Sequence, residues 1–377
     1  MIPRILFLVT EDWYFCSHRL PLAIAARQAG MKVTIVTRIS DKQSLMEQHG
    51  LNVVPLDMER GSINPVTLLK KVLQVYRIFK NESPDLVHLV ALKPMLIGGL
   101  AAYLSRVPST VTAIAGMGFL FAGKKKPGLM RLIVIKMISM MANKGLIIVQ
   151  NRDDEQLLAE TGIQRDRIRL IKGAGVDITL FRPQPEETGL PIVMLASRLL
   201  WEKGIGEFVE AARQLKVEGV KARFVLVGEP DEENPGAVSE DDLRSWVEEG
   251  IIEWWGKKED MPSVLSMAAM VCLPSYREGL PKVLLEAMAC GKPCVTTDAP
   301  GCREAVIHGE NGLLVPVRNS TKLAEAIKEL LSDAELRKTM GVAARSRAER
   351  EFAQEIIVEQ TMALYRELLN QRNINCE

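Results

Sequence analysis

Short apolar runs alternate with helix-length segments along this chain of 377 residues, and few folds accept that pattern. Runs at 5–9, 32–37, 53–56, 86–90 and 109–114 predict strands, and the segments 20–30, 41–49, 65–81 and 94–104 predict helices between them. Strands and helices that alternate at this spacing form a doubly wound parallel sheet, an α/β arrangement whose ligands gather at the carboxyl ends of the strands. The alternation then starts afresh. Strands are expected at 192–196, 222–227, 251–254, 271–273, 294–297 and 312–315, with helices at 206–216, 240–249 and 261–268. A chain of 377 residues exceeds what one core normally supports, so two domains follow. Residues 172–191, with three prolines, read as the linker, and the helices 320–331, 334–349 and 354–369 close the chain.

Composition narrows the function. An apolar share of 47% and a charged share of 25% belong to a folded globular protein. The run 5–9 is too short for a leader, and no apolar run reaches the roughly 20 residues that span a bilayer. The six cysteines show no metal-type pairing, and Cys290 with Cys294 are expected as two small buried residues in a reducing cytoplasm. Residues 1–180 hold 24 Lys and Arg against 14 Asp and Glu, and the remainder reverses the balance, 24 against 33. A basic first half points to an anionic partner, a phospholipid surface or a phosphorylated substrate. No recognised nucleic-acid motif accompanies it, so nucleic acid is not expected.

The stretch from Val271 to Pro293 carries the clearest site. A strand ends in the turn-rich loop 274–280, Pro281 suits a first helical position, and Gly291 with Pro293 stops the helix. Amides at such a helix start attract anions. Glu278 precedes the helix and Glu286 lies a little over one turn into it, both suited to sugar or ribose hydroxyls. Spacing alone favours the plainer alternative, Glu278 solvated and Glu286 paired with Lys282 on an exposed face. Arg198 and Lys203 follow the first strand of the second half, where they form either a solvated basic loop or a grip for phosphate. The loop after the first strand, from Thr10 to Pro21, lacks the Gly-x-Gly-x-x-Gly of a dinucleotide site, which argues against NAD or FAD.

Glu278-x7-Glu286 within Ser-Tyr-Arg-Glu-Gly-Leu-Pro resembles the E-x7-E signature of retaining, GT-B-fold glycosyltransferases of family 4. Ala196-Ser-Arg-Leu-Leu-Trp-Glu-Lys-Gly204 resembles that family's phosphate-binding Arg-x4-Lys-Gly. The resemblance implies two Rossmann-like doubly wound domains facing a cleft: an acceptor-binding domain over 1–175 and a nucleotide-sugar domain over 190–352, with the C-terminal helix 353–377 crossing back onto the first. It implies that Glu278 holds donor-sugar hydroxyls and Glu286 the ribose. The segment Gly279, Leu280, Pro281 and Lys282 would bind the diphosphate through its amides, and Gly256 with Lys257 lies where a base-binding loop would select uracil. Arg198 and Lys203 would stabilise the departing nucleoside diphosphate without a metal, no Asp-x-Asp-like pair sitting in a suitable loop. No cofactor is expected, the nucleotide sugar being a substrate.

Phe15-Cys-Ser-His-Arg-Leu-Pro-Leu22 stands where many relatives have a Gly-Gly pair. It resembles a subgroup that extends polyprenyl-diphosphate-linked glycans, among them bacterial transferases adding N-acetylgalactosamine to a diacetylbacillosamine-diphosphate lipid. That likeness places His18 and Arg19 near the acceptor, with His88 at a strand end, where it could face the cleft or cap the sheet, and Lys93 positioned for the acceptor diphosphate. Residues 112–118 carry no titratable side chain where many relatives have a histidine, so no protein base is assigned and the donor phosphate would accept the proton. Phe119, Phe121, Lys124, Lys125 and Lys126, followed by the apolar segment 128–142, suit docking on an anionic membrane, or a core helix behind a solvated lysine loop. The expected enzyme is a peripheral protein of the inner membrane face that glycosylates a lipid-linked saccharide. A GT-B-fold sugar 2-epimerase, a nucleotide-sugar-binding scaffold and a soluble enzyme with a small-molecule acceptor are the alternatives.

Overall fold

The computed structural model describes residues 2–58, 65–114, 116–117, 129–185 and 189–374. The chain forms two compact units, Met1–Ala174 with Glu355–Glu377, and Gly175–Gln354.

The first unit is built on a seven-stranded, wholly parallel sheet: β1 (Arg4–Glu11), β2 (Lys32–Arg38), β3 (Asn52–Pro55), β4 (Leu86–Val90), β5 (Ser109–Ile114), β6 (Gly145–Val149) and β7 (Ile168–Leu170). Its order is β3-β2-β1-β4-β5-β6-β7, so the winding reverses between β1 and β4. β4, β5 and β6 are buried at every position, as strands covered on both faces must be. Val72, Val75, Phe79, Met95, Ile97, Val134 and Ile138 form one core on one face, from the helices Pro65–Glu82, Leu92–Ser105 and Leu129–Ala142. The other face is covered by Leu20–Gln28 and by the C-terminal helix Gln354–Ile374, whose Ile357, Met362, Tyr365 and Leu368 pack with Phe7 and Phe15.

β6 and β7 extend the sheet beyond the five strands expected from the sequence, and two other features depart from that expectation. The loop after β1 is instead a helix, Asp12–His18. Its buried Asp12 accepts from the amides of Trp13 at 2.7 Å, Ser40 at 2.7 Å and Lys42 at 3.0 Å, and from the Ser40 hydroxyl at 2.6 Å. Burial alone would raise this carboxyl; the four hydrogen bonds outweigh it and hold the group below its ordinary value. The second departure is the linker. Val176 and Phe181 are buried, the Val176 N–H donates to Phe352 O, and Val176 O accepts from the Gln354 N–H, both at 2.9 Å. Residues 175–181 open the second unit as packed structure, while 182–185 are exposed.

The second unit holds β8 (Ile192–Ala196), β9 (Arg223–Val227), β10 (Glu253–Trp254), β11 (Met270–Leu273), β12 (Cys294–Thr297) and β13 (Gly312–Val315). The sheet is again all parallel, in the order β10-β9-β8-β11-β12-β13. β8 and β11, distant in sequence, are neighbours, so the winding reverses there. Reversal points open a crevice beyond the carboxyl ends of the strands, where doubly wound sheets take their ligands. Cys272, Cys290, Cys294 and Cys302 are buried in this unit, and burial pushes the Cys302 thiol up to about 12. No helix among the described residues is long and apolar enough to cross a membrane.

Candidate active site

Two loops leave β8 and β11 side by side. After β8 the chain makes one tight turn, Trp201–Lys203, then enters the helix Ile205–Val217 through Gly204 at φ +76°. After β11, residues 274–281 lead into the helix Lys282–Ala289. The loops are stitched together. The Tyr276 N–H donates to Glu202 O at 2.9 Å, the Ser275 hydroxyl oxygen lies 3.2 Å from the same carbonyl oxygen, and the Tyr276 hydroxyl donates to Glu207 Oε1 at 2.8 Å. Burial and then the Glu207 carboxylate raise the Tyr276 phenol above its ordinary value, so it stays protonated as the donor. A third loop closes the arrangement from β12, where Pro300 O accepts from the Glu278 N–H at 3.0 Å.

These contacts bring Lys203 and Glu278 together from 75 positions apart. Lys203 Nζ lies 2.5 Å from Glu278 Oε1, with side chains only 15% and 12% exposed. The Ser275 hydroxyl donates to the same oxygen at 2.7 Å. A pair this far from water costs desolvation energy and persists only where geometry and added hydrogen bonds offset that cost, as they do here. Backbone approach enforces it: a Cβ on Gly204 would lie 2.2 Å from Pro274 O, and one on Gly301 2.5 Å from Glu278 O.

Arg198 does not join this pair. Its guanidinium Nη1 binds Asp231 Oδ2 at 2.7 Å, Asp231 arriving on the loop after β9. Sequence reasoning missed Asp231; its only signal is an acidic residue just beyond a strand end. Glu286 takes the Lys282 partner that spacing allowed, at 2.9 Å, but on a buried rather than an exposed face, the residue being 8% exposed. Pro281 is the N-cap, not the first helical residue: at ψ 111° it is extended, and it has no N–H. Main-chain donors in this segment therefore belong to Gly279, Leu280 and Lys282. Gly256, at φ +66°, lies past β10 and accepts from the Gly228 N–H at 2.9 Å, with Lys257 exposed beside it.

The first unit treats its four candidates differently. Lys93 stands in the first turn of Leu92–Ser105, just past the carboxyl end of β4 and so beside the β1/β4 reversal. His18 ends the helix Asp12–His18, its Nδ1 donating to Tyr14 O at 3.2 Å and its ring stacked on Tyr14 at 4.1 Å. Arg19 is 3% exposed, and its Nε has no hydrogen-bond partner among the described residues.

The expectation for His88 is corrected. It sits in the middle of β4, not at its end, and is wholly buried. Its ring stacks on Phe7 at 5.2 Å and its Nδ1 hydrogen-bonds the Tyr365 hydroxyl at 2.5 Å. Burial first, and then the Arg19 guanidinium, hold its imidazole well below the usual range. A neutral, enclosed histidine tied to the C-terminal helix cannot meet an acceptor; it is part of the core. Tyr365, its partner, was not legible in the sequence. Phe119, Phe121, Lys124, Lys125 and Lys126 lie outside the described residues.

Comparison with known proteins decides the family. Residues 177–347 match the model described as glycosyl transferases group 1, and residues 4–151 match the glycosyl transferase 4-like model. The chain is 30% identical, over 96% of its length and 98% of the relative's, to an N,N'-diacetylbacillosaminyl-diphospho-undecaprenol alpha-1,3-N-acetylgalactosaminyltransferase of Campylobacter jejuni. The chain belongs to the group 1 glycosyl transferases. Another relative of this glycosyltransferase, 25% identical over 72% of the chain and 73% of its own length, is an Escherichia coli UDP-Gal:alpha-D-GlcNAc-diphosphoundecaprenol alpha-1,3-galactosyltransferase. Solved structures share the two-domain GT-B fold. Sucrose-phosphate synthase of Thermosynechococcus elongatus superposes with a TM-score of 0.82 over 98% of the glycosyltransferase chain and all of its own, at 24% identity. Anabaena HepE in complex with UDP and glucose gives 0.77 over 95% and 98%, at 22%.

Proposed function

We propose that this glycosyltransferase retains anomeric configuration, needs no metal, and moves a hexose or N-acetylhexosamine from a nucleoside diphosphate, UDP by preference, to a polyprenyl-diphosphate-linked saccharide. The observation that carries the reading is the enclosed Lys203–Glu278 pair at the β8/β11 reversal, beside the start of an apolar helix. Glu278 accepts hydroxyls of the donor sugar and Glu286 those of the ribose. Gly279, Leu280 and Lys282 offer main-chain N–H groups to the diphosphate, and Gly256 with Lys257 flanks the base. Lys203 and Arg198 meet the charge that develops as the bond from the anomeric carbon to phosphate oxygen breaks and UDP leaves with the electron pair. The acceptor hydroxyl attacks the same face, and its proton passes to the departing phosphate oxygen. His18, Arg19 and Lys93 serve the acceptor in the first unit, which works at the inner face of the membrane. The names of the Campylobacter and Escherichia relatives, both acting on undecaprenyl-diphosphate saccharides, support this acceptor class.

Calorimetric titration with UDP-, GDP-, ADP- and dTDP-sugars, followed by transfer to a polyprenyl-diphosphate saccharide with and without chelator, tests it. The expected outcome is selective binding of a UDP-sugar and chelator-insensitive transfer giving a product with the donor's anomeric configuration. Interconversion of the UDP-sugar without an acceptor would establish an epimerase instead, and inverted product would refute retention.

A further inference from the structure

The helices Pro65–Glu82, Leu92–Ser105 and Leu129–Ala142 bury their inner sides in one core on one face of the first sheet, so their outer sides share one surface. That surface is unusually apolar. Val66, Leu69 and Leu73 stand 62%, 57% and 45% exposed at i, i+3 and i+7, one stripe of the first helix. Leu100, Tyr103 and Leu104 on the second and Leu132 and Ile133 on the third are exposed as well. Isolated surface leucines need no explanation; eight large apolar side chains on three adjacent helices do.

The charge around them has one sign. The three helices carry seven Lys and Arg and a single acid, Glu82. On the first helix the apolar stripe runs on into exposed Lys70, Arg77 and Lys80, at the same helical spacing. Lys136 is exposed on the third, and Lys144 lies over the Tyr103 ring at 5.2 Å. A second copy of the chain is a poor match for such a face, because a two-fold interface sets each patch against itself and cations would meet cations. An anionic lipid leaflet matches both properties, taking apolar side chains among its acyl chains and basic ones at its headgroups.

We propose that the outer face of these three helices docks the protein on a membrane rich in anionic phospholipid. The proposal rests on the lipid-linked acceptor reading, to which it adds the surface that meets the lipid. Docking orients the first unit so that a membrane-embedded acceptor is presented to it at high local concentration.

Vesicle flotation tests this, with phosphatidylcholine alone or mixed with phosphatidylglycerol, on the wild type, a Lys70→Glu/Lys80→Glu/Lys136→Glu variant and a Leu69→Ser/Leu73→Ser/Ile133→Ser variant. All six positions lie on the helix surfaces, and thermal melts verify folding. Wild type is expected to float with the mixed vesicles, and less so at high salt. Each cation near the leaflet contributes roughly fivefold, so the charge variant should lose at least about 100-fold in partition. Transfer to a bilayer-embedded acceptor should fall in parallel, while transfer to a detergent-dispersed, short-chain acceptor stays intact. Equal flotation of wild type and variants, or no flotation of wild type, would overturn the proposal. So would a wild-type dimer in sedimentation that the serine variant dissociates. If flotation follows the variants but no prenyl-linked acceptor is glycosylated in any format, the acceptor reading fails and the docking face stands.

Discussion

Glu278→Gln is expected to lower the turnover of sugar transfer by roughly 100- to 1,000-fold, the usual effect of removing one placed electrostatic group from a reacting centre. The substitution keeps size and shape, so the Ser275 hydroxyl retains an oxygen to donate to, and the Glu278 N–H still bonds Pro300 O. What it removes is the negative charge that Lys203 meets at 2.5 Å. Two consequences separate a chemical role from a structural one. Sugar hydroxyls lose a charged acceptor, so transfer collapses. The Lys203 ammonium, no longer neutralised, presents its full charge to phosphate, so affinity for UDP itself should hold or rise. Steady-state kinetics beside UDP calorimetry read both. Loss of UDP binding together with transfer would mean that Glu278 merely holds the loop.

Gly204→Ala carries the largest expected cost to structure. At φ +76° any side chain is strained, by roughly 1 kcal/mol. The added Cβ would stand 2.2 Å from Pro274 O, a backbone atom that cannot rotate away. The loop bearing Glu278 must shift or the helix entry must unwind. We expect a loss of about 3 kcal/mol, lowering the melting temperature of the second unit by about 6–12 °C, and a UDP affinity reduced by more than tenfold. Gly219→Ala is the control. It has nearly the same backbone angle, φ +75°, but among the described residues no atom beyond its chain neighbours lies within 4 Å of the new Cβ, so only the strain of about 1 kcal/mol should appear. Equal losses in the two variants would show that contact with Pro274 is unimportant.

The scaffold was largely written in the apolar runs. β4, β5, β8, β12 and β13 have the bounds those runs mark, because a parallel strand covered on both faces draws mainly on apolar and β-branched residues and is bracketed by polar turns. The helix Asp12–His18 was not legible, since the groups that satisfy Asp12 come from Ser40 and Lys42, on a distant loop. Nor could a one-dimensional pattern tell which face of β4 His88 takes, or that its partner Tyr365 arrives from a helix 277 positions on. At the second-unit site the residue types were visible but their pairing was not. Lys203 and Glu278 meet because β8 and β11 are sheet neighbours, while Arg198 turns instead to Asp231, beyond β9. Sheet order is a property of the whole fold, and no local motif encodes it.

A crystal structure with bound UDP puts the central claim at risk most directly. The β-phosphate is expected at the β8/β11 reversal, with an oxygen about 2.7–2.9 Å from Lys203 Nζ, the ammonium drawn partly off Glu278, and main-chain N–H groups at the start of Lys282–Ala289 turned toward the ligand. A diphosphate bound elsewhere, with Lys203 and Glu278 still closed on one another, would contradict it.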